Sequence, residues 1–368
     1  MPSLEGKIRY GVVGAGWISQ CAFMPGVAQT SNSILTALVS GTPEKNDRLG
    51  KDYGLETYTY EQYDELLKSG TIDAIYIGLP NDQHRKFAEP ALKAGIHVLL
   101  EKPMATSLKD AEAIEAAAKA SGAKLMIAYR LHCEPGTISM VEAVRKGEIG
   151  KPRFFTSTFS QRVRATNYRA KSGYWGGPVP DMGNYPLNAV RNLFEAEPIA
   201  VSATGTRTER GLDCEDIVSV TLTFTEGRQA SFTVCYSGAG ADTFHLIGSE
   251  GSIRADPAFG FSPDLAITYE IETAAGESET RKAAVTDQFA GETDYFSDCI
   301  LNDREPEPNG EEGVLDVRVL EAIQRALETG EVQTLEPRSR QRRMDASLKR
   351  ELSYGKQPDM VAGEPPVE

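Results

Sequence analysis

The 368-residue chain has little of what stabilises small secreted proteins or anchors a protein in a membrane. It has five cysteines (Cys21, Cys133, Cys214, Cys235 and Cys299), scattered and odd in number. No two have the spacing of a metal knuckle or redox pair, which argues against a disulfide framework or a zinc site. No apolar run reaches the roughly 20 residues that cross a bilayer. Residues 1–10 lack the apolar segment of a secretory signal, so a cytoplasmic protein is expected. Basic side chains are the minority, 39 against 53 acidic, and the net charge of −14 argues against a nucleic acid partner. That charge serves solubility and sets no specificity. There is no internal repeat.

A hydrophobic content of 40% and a charged content of 25% are those of an ordinary globular protein, and the length suits two domains. The first third alternates short apolar runs (8–13, 34–39, 74–79, 97–100, 124–128) with helical stretches such as 60–69 and 108–120. That alternation predicts an α/β domain with a parallel sheet covered on both faces. Beyond about residue 150 the period changes to two, in the runs 154–160, 200–206, 217–224 and 229–236. A large, mostly antiparallel sheet with helices on one side follows from it, with a late helix at 313–329. The expected division is 1–128, a nucleotide domain, and 129–335, a substrate domain. A polar, proline-bearing tail at 336–368 completes it, as a flexible end or an arm on a neighbouring subunit.

Gly14-Ala15-Gly16-Trp17-Ile18-Ser19 stands between the first strand and a helix. Glycines there let the backbone approach a pyrophosphate, and the helix N-terminus offers amides to it. A bare tight turn would use the same glycines, and Ser19 stands where a third glycine is usual; the strand–loop–helix context favours nucleotide. The second strand ends in Ser40-Gly41-Thr42, followed by Lys45 and Arg48. An acidic residue would hold a ribose 2′-hydroxyl at that place. Hydroxyls and cations instead suit a 2′-phosphate, so NADP is the expected cofactor, although Lys45 and Arg48 also fit a solvated helix face.

Glu101-Lys102-Pro103 ends another strand at the carboxyl edge of the sheet, where ligands of open α/β sheets bind. Asp181 and Tyr185, four residues apart, would share a helix face. A phenol acting as general base needs its pKa brought down, which a nearby ammonium does. Taken singly, Lys102 fits a surface cation and Tyr185 a core residue.

Together with Leu79-Pro80-Asn81-Asp82-Gln83-His84 and Ala128-Tyr129-Arg130, these motifs run in order along nearly the whole chain. The chain resembles the glucose–fructose oxidoreductase family, also called the Gfo/Idh/MocA family. The resemblance implies a Rossmann domain, then an α/β domain on a mostly antiparallel sheet, and a sugar or polyol substrate. By the same likeness Lys102 is the catalytic lysine, Tyr185 the acid–base group and Asp181 the residue that orients the sugar. Many relatives carry histidine where Tyr185 stands; tyrosine there resembles the glucose–fructose oxidoreductase branch. Gly14, Gly16, Trp17, Ile18, Ser40, Gly41, Thr42, Lys45, Leu79, Asn81, His84, Glu101, Lys102, Arg130 and Arg169 would hold NADP. Tyr129 and His132 would join Lys102, Asp181 and Tyr185 around the substrate, with no metal. The chain lacks that branch's export signal and long N-terminal arm. A homodimer or homotetramer is implied, and three activities stay open: an aldose oxidoreductase that retains NADP, a dehydrogenase that releases it, and a non-catalytic cofactor sensor.

Overall fold

A computed structural model describes residues 6–209, 211–340 and 342–367, and they form two compact units. The first unit is built on six strands: β1 Ile8–Val13, β2 Ser33–Val39, β3 Glu56–Tyr58, β4 Ala74–Ile77, β5 His97–Leu100 and β6 Leu125–Ile127. All pair in parallel, in the order β3-β2-β1-β4-β5-β6. β4 and β6 are buried along their whole length and read as unbroken apolar runs, as strands covered on both faces must. The order reverses between β1 and β4, so the loop after β1 opens at the point where such sheets bind ligands. Local chemistry sets the helix ends: Ser107 caps Leu108–Ser121 by accepting from the Asp110 amide, and Gly122 closes it at φ 76°.

The second unit carries nine strands: β7 Pro152–Ser160, β8 Ala200–Thr206, β9 Ile217–Thr223, β10 Gln229–Cys235, β11 Ala241–Gly248, β12 Gly251–Ala255, β13 Thr268–Thr273, β14 Ser278–Lys282 and β15 Gln333–Thr334. Their order is β14-β13-β12-β11-β7-β10-β9-β8-β15; β7 and β10 are parallel and the other pairs antiparallel. β9 alternates buried Val218, Val220 and Leu222 with exposed Ser219 and Thr221, the pattern of a sheet with one covered face. Beneath it, helix Asn184–Leu193 is tied by charge to helix Gly310–Thr329. Fully buried Arg191 donates to Glu197 (2.6 Å) and to Asp316, Asn188 donates to Asp316 (3.0 Å), and Arg343 donates to Glu197 (2.8 Å).

The α/β architecture is the expected one, but the division of the chain is not contiguous. Thr286–Val314 and Arg350–Pro365 belong with the first unit, while Leu315–Lys349 belongs with the second. The reason lies in buried packing. Helix Gln288–Leu301 lies so close to residues 24–27 that a Cβ on Gly26 would fall 2.9 Å from the Ala290 nitrogen. Its Ser297 hydroxyl also bonds the hydroxyls of Tyr10 (2.8 Å) and Ser33 (2.7 Å). Of the tail, residues Arg350–Pro365 belong with the nucleotide domain. No helix among the described residues is long and apolar enough to cross a membrane.

Candidate active site

In the first unit the site begins at the loop after β1. Gly14 has φ 94°, and a Cβ there would lie 2.7 Å from the Leu79 side chain and 2.8 Å from the Gly78 oxygen, so only glycine fits. Gly16 differs: a Cβ would meet nothing nearer than 3.9 Å, leaving open the space beside the backbone that a phosphate would take. Ser19, the departure from a third glycine, is buried and donates to the Gly14 carbonyl at 2.6 Å. Gln20, next to it, donates to the Ala15 carbonyl at 2.9 Å. The C=O and following N–H of a trans peptide point oppositely. Pinning these two oxygens inward therefore aims the amides of Ala15 and Gly16 outward, an anion-binding arrangement. The chain then turns through the π-helix Ser19–Phe23.

At the end of β2, buried Ser40 accepts from the Thr42 amide (3.2 Å), and Asn46 donates to the Ser40 carbonyl (3.1 Å). Lys45 is half-buried, and burial holds its ammonium below the ordinary lysine pKa. A cation desolvated this way is stabilised by an incoming anion. Arg48 is exposed.

The remaining first-unit residues gather at the ends of β4, β5 and β6. Glu101 accepts from the Tyr76 hydroxyl at 2.7 Å; burial raises its carboxyl pKa, against the pull of Lys102, Tyr76 and Arg130. Buried Arg130 is held by Gln288 and lies over the Phe289 ring, 5.9 Å from its centroid. Glu292, on the same helix, is fully buried with no hydrogen-bond partner for either carboxyl oxygen. Burial and the charges of Glu101 and Asp287 drive its pKa up, with Arg130 opposing.

Three more of the expected site residues are buried. His84 is fully buried, and its ring nitrogens lie 2.9 Å from the Pro103 carbonyl and 3.0 Å from the Leu79 carbonyl. It links the two loops that carry those carbonyls. Tyr129 and His132 are buried and stacked on each other at 5.5 Å, with His132 3.9 Å from the Glu307 carboxylate.

In the second unit Asp181 and Arg169 stand together, and Tyr185 follows on the same helical run. The helical run opens as the π-helix Val179–Gly183 and continues as Asn184–Leu193; single π-turns within helices cluster at functional sites. Asp181 receives the Tyr236 hydroxyl at 2.8 Å and pairs with Arg169 at 3.3 Å. The Arg169 guanidinium also lies over the Tyr168 ring, 5.2 Å from its centroid. Half-exposed Tyr185 has its ring against Phe159 (5.8 Å) and Phe259 (6.0 Å). Tyr236, Gln20 and Glu292 are site residues that sequence reasoning passed over. They belong to no motif, and Tyr236 reads only as the end of an alternating strand.

A parallel sheet of this order with a glycine loop at its switch point defines a nucleotide-binding unit, and comparison with known proteins gives the family. Residues 8–129 match the profile of an oxidoreductase family with an NAD-binding Rossmann fold, GFO_IDH_MocA, and residues 137–254 match the GFO/IDH/MocA C-terminal domain. D-xylose 1-dehydrogenase [NADP(+)] of Haloarcula marismortui is 30% identical over 88% of this chain and 92% of its own. The crystal structure of aldose–aldose oxidoreductase from Caulobacter crescentus, complexed with glycerol, is similar at TM-score 0.84 and 35% identity, over 89% of this chain and 100% of that one. The 3-ketoreductase KijD10 of Actinomadura kijaniata, in complex with NADP and TDP-benzene, is similar at TM-score 0.79 and 26% identity, over 87% and 98%. The chain belongs to the GFO/IDH/MocA family of oxidoreductases.

Proposed function

We propose that the protein is an NADP-dependent sugar oxidoreductase that oxidises a cyclic aldose at C1 to a lactone. The observation that carries the reading is the second-unit cluster. Asp181, fixed by Arg169 and Tyr236, stands just before half-exposed Tyr185, a carboxylate and a phenol suited to neighbouring sugar hydroxyls. The names of the aldose-acting relatives support the substrate class.

The first unit fits the nucleotide: the outward amides of Ala15 and Gly16 for the pyrophosphate, and Ser40, Thr42 and Lys45, with no carboxylate at the end of β2, for a 2′-phosphate. The chemistry a bound nicotinamide would supply there is acceptance of the C1 hydride. Tyr185 takes the proton of the C1 hydroxyl, Lys102 holds that hydroxyl, and Asp181 fixes its neighbour, so this chain's contribution is position and proton transfer. The same reading carries a homodimer or homotetramer, which light scattering on the eluted protein tests.

The experiment is an assay of the desalted protein against a panel of aldoses, with and without added NADP. Lactone formed only with added NADP supports a dehydrogenase that releases its cofactor. Lactone formed without it, while a second aldose is reduced, supports retention. Nucleotide binding with no turnover on any aldose overturns the proposal.

A further inference from the structure

The tail residues 350–361 run over the first unit and end on the side chain that holds the nucleotide loop. Arg350 starts the run: it donates to Asp294 (2.9 Å) and Asp298 (3.1 Å), and its guanidinium lies over the Tyr295 ring. Backbone bonds follow, from Arg350 to the Cys133 carbonyl (3.0 Å) and from Asp287 to the Leu352 carbonyl (2.8 Å). Gly355 passes so close to Gln29 that a Cβ would fall 2.2 Å from its amide nitrogen. The run closes at buried Val361, whose N–H donates to Gln20 Oε1 at 2.8 Å and whose carbonyl accepts from Gln20 Nε2 at 3.1 Å.

Gln20 is itself buried, and its Nε2 makes one further bond, to the Ala15 carbonyl. Its amide is thus satisfied by two partners, the tail backbone and the loop backbone. Removing the tail partner would leave buried amide atoms unpaired, which favours rotation of the side chain toward water. The Ala15 carbonyl would then lose its pin, and the Gly16 amide its fixed direction. We propose that residues 350–361 are a strap that slows release of the bound dinucleotide, acting through Gln20 as a positioning residue. This rests on the reading that the glycine loop holds the pyrophosphate of a nicotinamide nucleotide.

The test measures NADPH dissociation by stopped-flow fluorescence on full-length protein, with thermal stability followed in parallel. Gln20→Leu keeps the volume and removes all three side-chain bonds. Val361→Pro removes the N–H that Gln20 accepts, together with the valine side chain, and Val361→Ala keeps both backbone groups and so controls for the lost side chain. The expected result is a dissociation rate raised about tenfold by Gln20→Leu and several-fold by Val361→Pro, with Val361→Ala within about twofold of the parent. The double variant Gln20→Leu/Val361→Pro should be no faster than Gln20→Leu alone, because both break one linkage. Variants that lose thermal stability while releasing NADPH at the parent rate overturn the strap, and so does a double variant whose effects multiply. A parent protein that binds neither NADPH nor NADH overturns the nucleotide reading instead, so the two failures are distinct.

Discussion

The two units each contain a π-turn beside their functional residues, and they build their sites from different material. In the first, the π-helix Ser19–Phe23 follows a loop whose working groups are backbone amides, and side chains enter only to pin carbonyls. In the second, the π-helix Val179–Gly183 precedes Tyr185, and the working groups are the side chains Asp181, Arg169 and Tyr236. A backbone site is set by glycine and by whatever holds the loop. A side-chain site tolerates backbone variation but not the loss of one functional atom. Changes at the glycine loop should therefore move nucleotide affinity, and changes at Tyr185 should move turnover.

The largest effect is expected at Tyr185. Tyr185→Phe preserves the ring packing on Phe159 and Phe259 and removes only the hydroxyl. Turnover on an aldose should fall by roughly 10²–10⁴, with melting temperature and NADP affinity close to the parent's. An equal loss of NADP affinity, read by calorimetry, would break the comparison.

Next comes the charge network beneath the second sheet. Arg191→Met strands buried Glu197 and Asp316 without their guanidinium, and uncompensated buried charge typically costs about 3–5 kcal/mol. Denaturant unfolding measures it, and a loss under about 1 kcal/mol would show that the network contributes little to stability.

In the first unit, Ser40→Asp places a carboxylate where Ser40 now accepts from the Thr42 amide. The Kd for NADP should rise on the order of tenfold relative to that for NAD, through charge repulsion. Unchanged preference would place the 2′-phosphate elsewhere.

The smallest effect concerns Glu292, whose folded-state pKa is raised, first by burial and then by the charges of Glu101 and Asp287. A carboxyl raised on folding takes up a proton when the chain folds, so its contribution falls as pH rises above the unfolded value of about 4.3. The penalty levels off above the folded pKa. Glu292→Gln removes the titration, so its melting temperature relative to the parent should climb with pH across that window. A difference independent of pH would show that Glu292 does not titrate there.

Much of the first unit was legible because its signals are local. Apolar runs such as 74–77 and 97–100 mark buried parallel strands, and Gly14 and Gly16 need no distant partner to be recognised. The second sheet was legible only where alternation is clean, as in β9. The polar strand β14, exposed along most of its length, and the two-residue β15 carry no such pattern. His84 shows what a motif leaves out: its ring nitrogens lie beside the Leu79 and Pro103 carbonyls, contacts that spacing does not reveal.

By itself, then, the sequence determined the class of each sheet, the place of the glycine loop and the absence of an acid after β2. Each of these is a matter of period, spacing or residue type within a few positions. Only the tertiary structure decided that helix Gln288–Leu301 and the run 350–365 return to the nucleotide unit, that Glu292 is buried without a hydrogen-bond partner, and that Val361 closes on Gln20. Those contacts join residues up to 341 positions apart. They arise because buried amides and carboxyls must find partners or neutralise, wherever along the chain the partner lies.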